Sequence, residues 1–167
     1  AIQYAKAQGA FVYTTTSTTN LAWVKALGAD RVIDYKTEDY MSIAKDVDIV
    51  LDTLGQNYSL ESFEVVKQGG IVISVVGPLD EVSAKMLGMS DYKLPEALAK
   101  ASRDRKADYK FILMHPNGAH LNEIKSLIED EKIKPIIDRV YPFSESIEAF
   151  THLATGRAKG KIVVKVS

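Results

Sequence analysis

"DIVLDTLGQNYSLESFEVVKQGGIVISVVG", residues 48–77, holds two short apolar runs with a helical pattern between them. "DIVLDTL" (48–54) and "GIVISVVG" (70–77) are near-continuous in apolar residues, as strands are when both faces of a parallel sheet are covered. "YSLESFEVVKQ" (58–68) carries its apolar residues at helical spacing, and Gly69-Gly70 supplies a residue able to end a helix in the left-handed conformation. The unit reads strand, helix, strand, which is the crossover that two parallel strands require.

The same alternation continues on both sides. Strands are predicted at "AFVYTTT" (10–16), "RVIDY" (31–35) and "YKFILM" (109–114), and helices at "NLAWVKALG" (20–28), "TEDYMSIAKD" (37–46) and "KLPEALAKASRDR" (93–105). The expected fold is α/β, a Rossmann-type doubly wound parallel sheet with right-handed crossovers. Residues 1–8, "AIQYAKAQ", read as a helix stopped by Gly9, with no strand before it. The first strand of the fold is therefore expected upstream of Ala1. After the fifth strand come a helix at 119–132, a strand at 133–143, a helix at 144–156 and a strand at 160–167. This reading gives a nucleotide-binding domain at 1–132, truncated at its N-terminus, and a C-terminal segment at 133–167.

Composition narrows the function. The 167 residues are 46% hydrophobic and 26% charged with a net charge of −1, as in an ordinary soluble globular protein. Balanced charge gives no global attraction to nucleic acid or to an anionic membrane, and no apolar run approaches the ~18 residues of a membrane span. Without cysteine there are no disulfides, thiolate metal sites or cysteine nucleophiles. His115, His120 and His152 match no metal-ligand spacing, and no G-x-S-x-G elbow supplies a hydrolase nucleophile. Lys100, Arg103, Arg105, Lys106 and Lys110 are interrupted by Asp104 and Asp108 and read as a solvated face. The expected partner is a small molecule, with no nucleic acid, membrane or metal, and the expected location is cytoplasmic.

Ligands of open parallel sheets sit beyond the carboxyl ends of the strands. There the chain places "STTN" (17–20), a turn of side-chain donors ahead of a helix, with no Asp or Glu. One hydroxyl in such a place is a helix cap; four consecutive polar residues exceed what a cap needs, and the turn would tolerate a 2′-phosphate that a carboxylate would repel. Tyr35 ends the next strand. Asp52 and Gly55 follow in "LDTLG", and Gly77 in "SVVGP".

"VKALGADRVIDYKTEDY", "DIVLDTLG", "VVKQGGIVISVVG", "KFILMHPNGAHL" and "GRAKGKIVVKV" together resemble the medium-chain dehydrogenase/reductase superfamily, most of all its zinc-free quinone oxidoreductase and alkenal reductase branch. The resemblance covers essentially the whole chain. It implies the cofactor-binding part of such an enzyme, whose GroES-like barrel domain and glycine-rich phosphate loop would lie upstream, so this segment by itself is expected to be inactive. It implies NADPH as cofactor and hydride transfer to a quinone or an α,β-unsaturated carbonyl. By the same resemblance Ser17, Thr18 and Asn20 meet the 2′-phosphate and Tyr35 the adenosine side. Thr53 and Gly55 line the adenosine groove, and Val76 and Gly77 approach the nicotinamide ribose. Leu113, Met114 and His115 reach the nicotinamide end, and Lys161 lies in the segment packing back near the cofactor. No catalytic residue is assigned. Many relatives carry lysine where Asn20 stands, so the NADPH preference is expected to be modest. A homodimer is implied, formed by pairing of the "KFILMHP" edge.

Other readings compete. A non-enzymatic NAD(P)-binding protein of the same fold shares every feature above. A class I methyltransferase needs an acid at the end of the strand where Thr15 and Thr16 stand, and a phosphate-accepting receiver domain, with Asp52 as acceptor, needs an acid cluster the chain lacks. With the first strand upstream, "AFVYTTT" and "DIVLDTL" would flank an empty slot that the 167 residues alone are not expected to sustain; either the chain is part of a longer molecule or another strand occupies the gap, "KIVVKV" being the best internal candidate.

Overall fold

A computed structural model describes residues 1–166. The chain runs α1 (Ile2–Ala7), β1 (Tyr13–Thr16), α2 (Leu21–Ala26), β2 (Arg31–Asp34), α3 (Tyr40–Ile43), β3 (Val47–Asp52), α4 (Asn57–Val65) and β4 (Val66–Ser74). It continues through α5 (Glu81–Met86), α6 (Glu96–Arg105), β5 (Asp108–Phe111), α7 (Gly118–Glu129), β6 (Ile137–Pro142), α8 (Ser146–Ala154) and β7 (Lys161–Lys165). Ser167, read from sequence into the last strand, lies outside the described residues. No helix among those described is long and apolar enough to cross a membrane.

The chain forms two compact units, one of residues 13–116 and the other of residues 1–12 with 117–166. In the first, β1 pairs with β2, and β3, β4 and β5 form a second sheet in that order, all parallel. Its core lies where α4 and α6 cover the three-stranded sheet. Phe63, Val66, Val72, Leu98 and Ala107 are buried there, with Val50, Leu94, Ala101 and Tyr109 packed against them. Burying a side chain of the size of Phe63 contributes about 1.5–3 kcal/mol. The boundary between α4 and β4 differs from expectation. The strand begins at Val66, which pairs with Val47, while Gly69 and Gly70 lie inside it. Two β-branched residues at 65–66 favour the extended chain. A Cβ at Gly70 would stand 2.7 Å from the Asp48 carbonyl oxygen, so the close approach of β3 requires glycine there.

Among the described residues β1 forms a ladder with β2, and β3 with β4. No ladder among the described residues joins the two sheets, so no described strand occupies the slot between them. The expectation that "KIVVKV" fills it is corrected: β7 pairs in parallel with β6 instead, Val140 opposite Val163.

In the second unit α8 crosses over from β6 to β7. Tyr141 and Ala149 are buried between them. The Tyr141 hydroxyl lies 3.0 Å from His152 Nδ1, and His152 Nε2 lies 3.2 Å from Asp138. α1 belongs to this unit. Gln3 donates to the Lys134 carbonyl at 3.0 Å and accepts from the Lys134 amide at 2.7 Å, and Tyr4 donates to Glu123 at 2.9 Å.

Candidate functional site

Parallel registers end together. The last rungs are Thr16 opposite Asp34 in one sheet, and Asp52 opposite Ser74 opposite Phe111 in the other. Each turn that follows therefore leaves its sheet at the carboxyl end, where an open α/β sheet receives ligands.

The hydroxyl turn follows β1. Neither Ser17 nor Asn20 caps the helix with its side chain. Asn20 Nδ2 donates to Ser17 Oγ at 3.4 Å, and the Ser17 and Thr19 hydroxyls lie 3.2 Å apart. Thr18 behaves differently: its hydroxyl donates to Asp34 Oδ2 at 2.5 Å. A turn without an acid in sequence thus has one in space, brought by the neighbouring strand. Asp34 is buried, its Oδ1 accepts from the Lys36 amide at 3.1 Å, and its own amide donates to Glu38 at 3.0 Å. Glu38 also pairs with Arg31. The Thr18 hydroxyl is the main reason that the Asp34 carboxyl is held below the usual carboxylate range, with smaller help from Lys36 and against the effect of burial. Tyr35 stands beside the turn, its amide donating to the Thr16 carbonyl at 3.2 Å and its ring exposed.

Asp52 organises the other two turns. It is 5% exposed. Its Oδ1 accepts from the amides of Leu54 at 2.9 Å and Gly55 at 2.8 Å, and its Oδ2 from Ser59 Oγ at 2.5 Å. Burial alone would raise the Asp52 carboxyl, but the Ser59 hydroxyl and the two amides outweigh it, and the group is held below its ordinary value. Ser59 and Ser74 both reach the Gly77 carbonyl, at 3.3 and 3.1 Å, and Ser74 Oγ accepts from the Gly77 amide at 3.2 Å. Tyr109 closes the network by donating to the Pro78 carbonyl at 2.7 Å. The turns touch. Gly55 has φ +72°, and a Cβ there would stand 3.0 Å from Val76 Cγ2 and 3.4 Å from the Gly77 carbonyl oxygen. Thr53 and Val76 present exposed side chains on this surface.

The structure thus brings together Ser17, Thr18, Asn20 and Tyr35 as one group, and Thr53, Gly55, Val76 and Gly77 as another. Leu113, Met114 and His115 continue past the end of β5 with exposed side chains. Lys161 opens β7 in the other unit, exposed, its amide donating to Ile136 at 2.8 Å. Sequence reasoning passed over Asp34, Ser59 and Ser74, and placed Asp52 at a strand end without its partners. A signal was available: "VID" and "VLD" each end a strand in Asp, a residue whose carboxylate accepts backbone amides two residues on. Among the described residues no three His, Cys, Asp or Glu side chains are grouped to hold a metal.

Comparison with known proteins follows the same lines. The sequence model of a family described as zinc-binding dehydrogenase matches residues 27–164. The mitochondrial NAD(P)H oxidoreductase RTN4IP1 of Mus musculus is 33% identical over 99% of this chain and 44% of its own length. The 2-methylene-furan-3-one reductase of Solanum lycopersicum is 32% identical over 92% of this chain and 33% of its own length. The solved quinone oxidoreductase of Coxiella burnetii superposes with a TM-score of 0.77 at 30% identity, over all of this chain and 48% of its own. The chain spans less than half the length of each of these three relatives.

Proposed function

Because the chain belongs to the zinc-binding dehydrogenase family, within the medium-chain dehydrogenase/reductases, we propose that it is the nicotinamide-dinucleotide-binding part of an oxidoreductase. The complete protein would transfer hydride from NADPH to a quinone or an α,β-unsaturated carbonyl. One observation carries the reading: the turns at 17–20, 52–55 and 76–77 all leave the carboxyl ends of parallel strands, and buried aspartates hold two of them in shape. These residues fit a dinucleotide. The hydroxyl turn with Tyr35 suits the adenosine 2′-position, the exposed Thr53 beside the buried Gly55 suits the adenosine groove, and Gly77 with Val76 suits the nicotinamide ribose. Leu113, Met114 and His115 are assigned to the nicotinamide end. When bound, the reduced nicotinamide supplies the hydride; this chain's residues bind and orient it.

The family's name implies zinc. The chain has no cysteine, and its described His, Asp and Glu side chains do not assemble a site. Its donor set does not fit the metal. We further propose that the complete enzyme works without zinc, resides in the cytoplasm and forms a homodimer through the free edge of β5.

The reading is tested on the complete protein by titrating NADPH and NADH and by kinetics with a quinone and an enone. A modest NADPH preference is expected, reversed in Ser17→Asp by charge repulsion. An unmodified enzyme that favours NADH, or a protein that binds neither dinucleotide, refutes it.

A further inference from the structure

We infer that Asp34 is a specificity-determining residue: by taking the Thr18 hydroxyl proton and setting a carboxylate behind the turn, it limits how far the site can prefer a 2′-phosphorylated dinucleotide over the unphosphorylated one. The inference rests on the dinucleotide reading above and concerns the balance between its two candidate ligands.

Asp34 is not the acid that directly grips a ribose in NAD-selective sheets. It ends β2, not β1, it is 4% exposed, and both of its oxygens are engaged, Oδ2 by Thr18 at 2.5 Å and Oδ1 by the Lys36 amide at 3.1 Å. Its influence passes through Thr18. A hydroxyl has one proton to give. With that proton directed to Asp34, Thr18 faces a ligand with lone pairs only. It can accept from a ribose 2′-hydroxyl, and it cannot donate to a phosphate oxygen. The nearby cations do not cancel the carboxylate cleanly: Arg31 is paired with Glu38, and Lys36 reaches into solvent. The donors left for a phosphate belong to Asn20 and to the Ser17 and Thr19 hydroxyls, which already bond one another.

Asp34→Asn changes this at constant shape. The Lys36 amide keeps an acceptor if the asparagine oxygen faces it, and the asparagine NH2 then turns to Thr18 Oγ. Thr18 must accept from it, and its own proton is released toward the ligand. One negative charge also leaves the turn. Both changes favour phosphate.

The experiment measures binding of NADPH and NADH, and of the adenosine-end probes 2′,5′-ADP and 5′-AMP, to the complete protein and its variants. In Asp34→Asn the NADPH-to-NADH affinity ratio is expected to rise about tenfold, the scale of one charge-assisted hydrogen bond, with the same change in the two probes. The same Asp34→Asn change made in a Thr18→Val background is expected to move the ratio only about threefold, because the charge then changes and the Thr18 proton does not. An Asp34→Asn protein that binds both dinucleotides at the parent ratio overturns the inference. An Asp34→Asn change that shifts the ratio as far in the Thr18→Val background as in the parent overturns it independently, and Asp34→Ala, which frees the Thr18 proton by removing its acceptor, is read in the same way where Asp34→Asn does not fold. A parent that binds neither dinucleotide overturns the reading of the site, and this inference with it.

Discussion

Replacing Asp52 by asparagine isolates the charge that holds two ligand-facing turns. Three donors reach the carboxylate: the amides of Leu54 and Gly55 and the Ser59 hydroxyl, at 2.9, 2.8 and 2.5 Å. Asparagine keeps one oxygen for the two amides. Its NH2 meets Ser59, which then has to accept and can direct its own proton to the Gly77 carbonyl. A hydrogen bond to a charged group contributes about 1.5–3 kcal/mol and a neutral one about 0.5–1.5, so two bonds weakened this way cost about 2 kcal/mol. Asp52→Ala removes every acceptor. It leaves the Gly55 amide and the Ser59 hydroxyl, both buried, without this partner, at about 1–3 kcal/mol each. Against a total stability of about 5–15 kcal/mol, either change is visible in a urea melt of the complete protein. The pH dependence supplies a second signature. The carboxyl is held below its ordinary value in the folded chain, so the unfolded chain takes up protons first as pH falls. The advantage of Asp over Asn is therefore complete above the ordinary carboxylate pKa and fades as pH drops through the lower folded value. The reasoning is refuted if Asn melts within about 0.5 kcal/mol of the parent at pH 7 and the difference shows no acid dependence.

Gly55→Ala is expected to cost about 1–3 kcal/mol, because its φ is +72° and the new methyl would stand 3.0 Å from Val76; the urea midpoint and NADPH affinity should fall together. Gly160→Ala introduces a carbon 2.5 Å from the Ile136 carbonyl oxygen, which also accepts the Lys161 amide. It should lower stability by about 1–3 kcal/mol in the same melt without any change in φ preference. Charging the exposed residues beyond β5, Ile112→Lys with Leu113→Lys, is expected to halve the mass seen by light scattering; an unchanged mass counts against dimerisation at that edge.

The order of strands and helices was legible because each strand lies in or beside a short apolar run and most crossover helices have their own period. What escaped notice shares a physical cause. α5 was not foreseen because its apolar residues face outward, Val82 at 71% and Met86 at 73% exposed, while the buried positions are Ser83 and Ala84. Its start is marked only by Asp80, which accepts from the Ser83 amide at 2.6 Å. "TEDYMSIAKD" promised a longer helix than Tyr40–Ile43, since Asp39 caps the chain only one residue before Tyr40 and Ala44 is already extended. In the candidate site, the residues of each turn could be read from position alone. The pairing of Thr18 with Asp34 could not, because it joins the ends of two strands and depends on their register. The link from Asp52 through Ser59 to Gly77 spans a strand, a helix and a second strand, and no local pattern encodes it.

The strand ladders of the described residues are all parallel, with no hairpin among them, and this bears on the order in which the protein acquires its shape. A chain without a hairpin has no local β nucleus, and each ladder waits for the closure of its crossover. The segments from Tyr13 to Arg31 and from Val47 to Val66 are short; the one from Ile71 to Asp108 is the longest. β5 is therefore expected to join last. Its arrival brings the Tyr109 hydroxyl to Pro78, 2.7 Å away, and the Phe111 amide to Asp80, 2.8 Å away. The turn at Gly77 is thus tied down from its far side only at the final step of assembly. Pulse-labelled hydrogen exchange during refolding should find the Val72 amide, in the centre of β4, protected before the Phe111 amide at the end of β5.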